Sequence, residues 1–70
     1  MDFKIRKGEE FIKLGQLLKA ADLVSSGVEA KIVILDGEVQ VNGEVCLMRG
    51  KKLHKGDVVL FKGKEVKIDG

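Results

Sequence analysis

A chain of 70 residues is one domain at most, with no room for a separate substrate domain. Only about 60% of the unfolded surface can be buried at this size, so the core must be efficient. Hydrophobic residues make up 44% and charged residues 34%, spread along the chain, which argues against disorder, and a formal net charge of +2 says little as a total. One cysteine, Cys46, excludes an internal disulfide, and one histidine, His54, leaves too few ligands for a Cys/His zinc site, which points to a reducing compartment.

In chain order, Phe3 and Ile5 alternate with Asp2, Lys4 and Arg6, a period of two that predicts a short edge strand ending at Gly8. The period then changes. Phe11, Leu14, Leu17, Leu18 and Ala21 recur at helical spacing, predicting a first helix over about 9–20, with Glu9 and Glu10 at its positive end. Gly15 inside that helix costs about 1 kcal/mol relative to alanine, tolerable if a neighbouring backbone needs to come close. Asp22 to Ser25 form a short turn, and Ser26-Gly27-Val28-Glu29 spells a capping box that starts a second helix. That helix runs through Ala30, Val33 and Ile34 to Asp36, and Gly37 closes it. Val39 and Val41 then alternate into Asn42-Gly43, a strong hairpin signal. Two further strands follow, around 58–61 and 66–68, joined by a turn at Gly63. The order predicts an α+β domain, two packed helices against a small antiparallel sheet.

Positive charge is clustered. Arg49, Lys51, Lys52 and Lys55 lie in RGKKLHKG with no intervening acid, and Lys4, Arg6 and Lys7 form a second group. Such clusters either bind anions or keep a small protein soluble. The leucines Leu14, Leu17 and Leu18, followed by Ser26, Ala30, Ile34, Gly37, Val39, Val41, Asn42 and Gly43, with Gly56-Asp57 further on, resemble the S-four-type RNA-binding domain, also called the alpha-L motif. FIKLGQLLKAA, SGVEAK and RGKKLHKGD are similar to its bacterial stand-alone YaaA/YbcJ-like subgroup. The resemblance implies one S-four-like domain over residues 1–70, with the core motif at about 11–62. Many members place an arginine directly after the serine of the second helix. Gly27 stands there instead, as it does in the subgroup, which shifts positive charge to Lys31 and the RGKK segment. Cys46-Leu47-Met48 replaces a charged run expected before Arg49.

The resemblance implies a non-catalytic protein that holds structured RNA, ribosomal or transfer RNA, with a ribosomal particle as a further partner. The expected RNA-binding residues are Ser26, Lys31, Arg49, Lys51, Lys52 and Lys55. The start of a helix offers unpaired N–H groups near Ser26. Arg49 can grip a phosphate with two hydrogen bonds, and the lysines act as mobile point charges. Lys62 and Lys64, in the last turn, are expected to lie away from this surface. Ser26 also serves as a helix cap, Asn42-Gly43 as a turn, and Cys46 as a half-buried strand residue. The dispersed carboxylates and the single histidine suggest no catalytic site, cofactor or metal. MDFKIRKGEE lacks a signal-like apolar stretch and no segment reaches about 20 apolar residues, so a cytoplasmic monomer without membrane contact is expected. Two rivals remain. Val28, Ile32 and Leu35 form a second apolar stripe on the second helix, which either receives a protein partner or packs under the first strand. A ubiquitin-like sulfur carrier would need a Gly-Gly end, whereas the chain reads Ile68-Asp69-Gly70, and it has no place for the second helix.

Overall fold

The computed structural model describes residues 1–70. Its elements are β1 (Asp2–Lys4), β2 (Ile12–Lys13), α1 (Leu14–Ala20), α2 (Gly27–Leu35), β3 (Val39–Val41), β4 (Glu44–Val45), β5 (Lys52–Leu53), β6 (Val58–Phe61) and β7 (Lys64–Asp69). Five strands form one sheet in the order β1-β7-β6-β3-β4, and β2 pairs with β5 in a separate two-stranded ribbon. This is the expected α+β arrangement with one refinement. Every pairing in the main sheet is antiparallel except β1 with β7, which run parallel, so the sheet is mixed.

One face of the sheet is apolar because the strand register aligns the alternation. Val39 lies opposite Phe61, Val41 opposite Val59, and Val59 opposite Val66, and all of these side chains are buried. Leu14, Leu17 and Leu18 of α1 and Ala30, Val33 and Ile34 of α2 complete a core of 16 buried residues, every one apolar. At about 25 cal/mol per Å², removing these side chains from water is the main force assembling the fold.

The second helix matches its sequence signals closely. Ser26 is extended and its Oγ accepts the N–H of Glu29 at 3.1 Å. The reciprocal half of the capping box is displaced by one residue: Glu29 Oε1 accepts from the N–H of Ser25 (2.7 Å) and its hydroxyl (2.8 Å), not from Ser26. At the other end, Gly37 has φ +78°, its N–H donates to Ile34 O, and the N–H of Glu38 donates to Val33 O. This is the two-bond Schellman closure that a left-handed glycine permits.

The first helix differs from expectation. It begins at Leu14 rather than near Glu9, and no acidic residue sits in its first turn. Ile12 and Lys13 pair instead with Leu53 and Lys52, and the N–H groups of Leu14 and Gly15 donate to the carbonyls of Lys51 (2.8 Å) and Arg49 (3.0 Å). Ile12 is taken up by the ribbon with Phe11 just before it, so long-range pairing overrides the helical period.

Asn42 does more than turn the chain. Its φ of +53° and that of Gly43 (+86°) make the β3–β4 hairpin turn, while its side chain reaches the segment before β6. Asn42 Nδ2 donates to Asp57 Oδ1 (3.0 Å), and the N–H of Val58 donates to Asn42 Oδ1 (2.9 Å). Asp57 Oδ2 accepts the N–H of His54 at 2.8 Å, so one carboxylate ties the hairpin tip to the turn after β5.

Candidate nucleic-acid interface

The bonds from Leu14 and Gly15 to Lys51 and Arg49 supply partners for N–H groups that the start of a helix otherwise leaves free. Lys13, at the cap position of α1, makes no side-chain capping bond. The loop between β4 and β5 takes that role with its backbone, which clamps Arg49 and Lys51 against α1. The absence of a side chain at Gly15 makes the approach possible: a Cβ there would lie 2.7 Å from Arg49 Cγ and 3.6 Å from its carbonyl oxygen. The close neighbour anticipated for Gly15 is therefore Arg49.

An open groove of about 500 Å³ results between the starts of the two helices. Lys13, Lys19 and Arg49 supply three cations to it, Gln16 adds an amide, Gly15, Gly27 and Gly50 leave bare backbone, and no apolar residue lines it. A Cβ at Gly27 would meet nothing within 4 Å, so the mouth of α2 is open to solvent. Three cations around exposed backbone can accept an anion of phosphate size and charge, with Arg49 offering paired donors. A second hollow of about 520 Å³ shares Gly50 with the first and is lined by Lys51, Lys52, His54, Met48, Asn42 and Asp57. Beside it, the Lys52 ammonium lies 4.9 Å from the Phe11 ring centroid, within cation–π range.

Two carboxylates near these surfaces ionise more readily than usual. Asp57 is held below the ordinary aspartate range first by the N–H of His54 and then by the Asn42 side chain, with the charges of His54 and Lys51 adding to this. Glu29 is lowered by the N–H and then the hydroxyl of Ser25, and less by the charge of Lys62.

The six residues expected at the interface fall into three groups. Arg49 is in the first groove, as is Gly27, the neighbour of Ser26; Ser26 itself is half-buried with its oxygen engaged in the cap. Lys51 and Lys52 line the second hollow. Lys31 is exposed on α2 and Lys55 packs its stem near Gly70, and neither lines the two grooves. Lys13, Gln16 and Lys19 were not among the expected residues, although their spacing of three puts them on one polar stripe opposite the leucines. Neither Lys62 nor Lys64, in the last turn, lines the two grooves. The stripe Val28, Ile32 and Leu35 does not pack under β1, since these residues are 69%, 59% and 59% exposed.

A family model described as S4 domain matches residues 3–69. The chain belongs to the S4 domain family. A relative of this S4 domain from Bacillus subtilis (strain 168), named probable ribosome maturation protein RlbA, is 50% identical over 54 residues, covering 77% of this chain and 76% of that protein. The fold is similar to the solution structure of YbcJ from E. coli, with a TM-score of 0.72 and 33% identity, over 99% of this chain and 86% of that one. That structure is described as revealing an alpha-L motif involved in RNA-binding. The S4 domain resemblance carried by residues from Leu14 to Asp57 is thus matched in both sequence and fold. No helix of this S4 domain is long and apolar enough to cross a membrane.

Proposed function

We propose that residues 1–70 act as one non-catalytic RNA-binding domain that docks on structured RNA through the Lys13–Lys19–Arg49 groove and the adjoining Lys51–Lys52 surface. The observation that carries this reading is the groove itself, solvent-open, lined by three cations and bare glycine backbone, and without apolar lining. Structured RNA offers phosphates and a shape rather than a readable major groove, and cations fixed on a rigid frame suit both. The name of the Bacillus subtilis relative supports ribosomal RNA as the class of target and a ribosomal particle as the setting. In this reading the protein works in the cytoplasm as a monomer.

Charge reversal at matched sites tests this reading. Arg49→Glu with Lys51→Glu should weaken binding to structured RNA more than tenfold, over about 1.4 kcal/mol. Lys64→Glu with Lys67→Glu on β7 changes the net charge equally and should have a much smaller effect. Equal losses from both pairs would reduce the attraction to a diffuse one and remove the groove's standing.

The exposure of Val28, Ile32 and Leu35 favours a second reading, in which α2 also meets a protein. Their spacing of four then three is that of an interhelical seam, and Lys31 and Asp36 flank it with opposite charges. A partner helix with apolar residues at the same spacing would fit. Under this reading Ile32→Glu leaves the affinity for purified RNA unchanged and lowers co-sedimentation with ribosomal particles severalfold.

A further inference from the structure

The second hollow contains groups that a phosphate does not need. His54 is exposed, and Met48 is 64% exposed, although a methionine has no electrostatic use beside lysines. Both line the hollow together with Lys51 and Lys52. We propose that this hollow receives one unpaired nucleobase, stacked on the His54 imidazole with the Met48 side chain against it, while Lys51 and Lys52 meet the flanking phosphates. The inference rests on the RNA-binding reading above and adds a ligand class to it.

Three features hold the platform in place. The His54 backbone is pinned because its N–H donates to Asp57 Oδ2 at 2.8 Å. Its ring is braced by Phe11, with centroids 6.1 Å apart and planes inclined at 51°, a tilted contact that does not cover the imidazole as a parallel stack would. Phe11 is itself half-buried, and the Lys52 ammonium lies over it at 4.9 Å. The platform is therefore ordered before RNA arrives, which lowers the entropy lost on binding.

The chemistry of the hollow suits a base. Unpaired bases in folded RNA are commonly splayed out and stacked on aromatic side chains, histidine included, with their edges hydrogen-bonded. Asp57 lines the hollow, and each of its carboxylate oxygens already accepts one bond, from Asn42 and His54. Each oxygen retains capacity for another, so a base edge with N–H donors finds acceptors there. The shared Gly50 joins this hollow to the cationic groove, so one RNA strand can present a phosphate to Arg49 and the neighbouring base to His54.

The test uses two RNA hairpins, one with a fully paired stem and one with the same stem carrying a single bulged adenosine. Stacking of one base on an aromatic side chain is worth enough to raise affinity by at least about fivefold. The protein should prefer the bulged hairpin by that factor. His54→Ala should abolish the preference and leave binding to the paired hairpin within about twofold, because the bond to Asp57 comes from the backbone and survives. His54→Phe should restore it, since it retains a flat ring. Circular dichroism and the denaturation midpoint confirm that each variant folds. If both hairpins bind equally and with salt dependence, or if His54→Ala weakens both alike, the nucleobase site is overturned and the RNA-binding reading stands. If neither hairpin binds, the two fall together.

Discussion

A Cβ on residue 15 would stand 2.7 Å from Arg49 Cγ, which makes Gly15 a determinant of where Arg49 lies. Gly15→Ala gains about 1 kcal/mol of helix propensity but pushes Arg49 off α1. The expected outcome is a severalfold loss of RNA affinity in a titration, with little change in the urea midpoint. A glycine acting only as a helix defect would give the opposite pattern, higher stability and unchanged affinity. Asp57 gives a pH signature. Its folded-state pKa lies below the unfolded value of about 3.9, so its ionised form stabilises the fold above that pH, and this contribution is lost as the pH falls through the lower folded value. Asp57→Asn removes the titration and replaces an acceptor by an amide donor. The wild-type protein should therefore be more stable than Asp57→Asn near neutral pH, and the gap should narrow below about pH 4 in paired denaturation curves. A gap that does not change with pH would show that the Asp57 charge has no part in holding the turn.

Among the elements, α2 and α1 contrast in how they start. The first turn of α2 is capped by local side chains, Ser26 on the N–H of Glu29 and Glu29 on Ser25. Ser26→Ala should cost about 1 kcal/mol, read as a lowered denaturation midpoint. An unchanged midpoint would mean that the Ser26 bond contributes nothing net to the start of α2. The start of α1 instead depends on the carbonyls of Arg49 and Lys51, far away in sequence, and β2 depends on β5. This difference explains what was legible. Capping residues, the glycine that closes α2 and the Asn42-Gly43 turn act within a few positions and leave a readable pattern. The pairing of Ile12 with Leu53 leaves none, and the helical spacing of Phe11 and Leu14 pointed to a longer α1 than the fold contains. No motif singled out Lys13, Gln16 and Lys19, and only the docking of the 49–53 segment turns these positions into the wall of a groove.

At the scale of the molecule, a net charge of +2 conceals a local excess. Three cations line the first groove and two more line the adjoining hollow. With roughly three to five phosphate contacts, the logarithm of the RNA association constant should fall with the logarithm of salt concentration at a slope of about −2 to −5. Filter binding or anisotropy over a salt series measures this directly, and a flat response would reject phosphate neutralisation as the source of affinity. The amino-acid sequence by itself determined the α+β class, the position of α2, both hairpin turns and the family, because these depend on periodicity, caps and short motifs. It also marked Arg49, Lys51 and Lys52 as a basic cluster. Tertiary structure alone decided that β1 runs parallel beside β7, that Val28, Ile32 and Leu35 face solvent, and that Lys13 and Lys19 join Arg49 in one groove. The physical reason is that these outcomes depend on which distant backbones exchange hydrogen bonds, and a residue's own neighbours in sequence carry no record of that exchange.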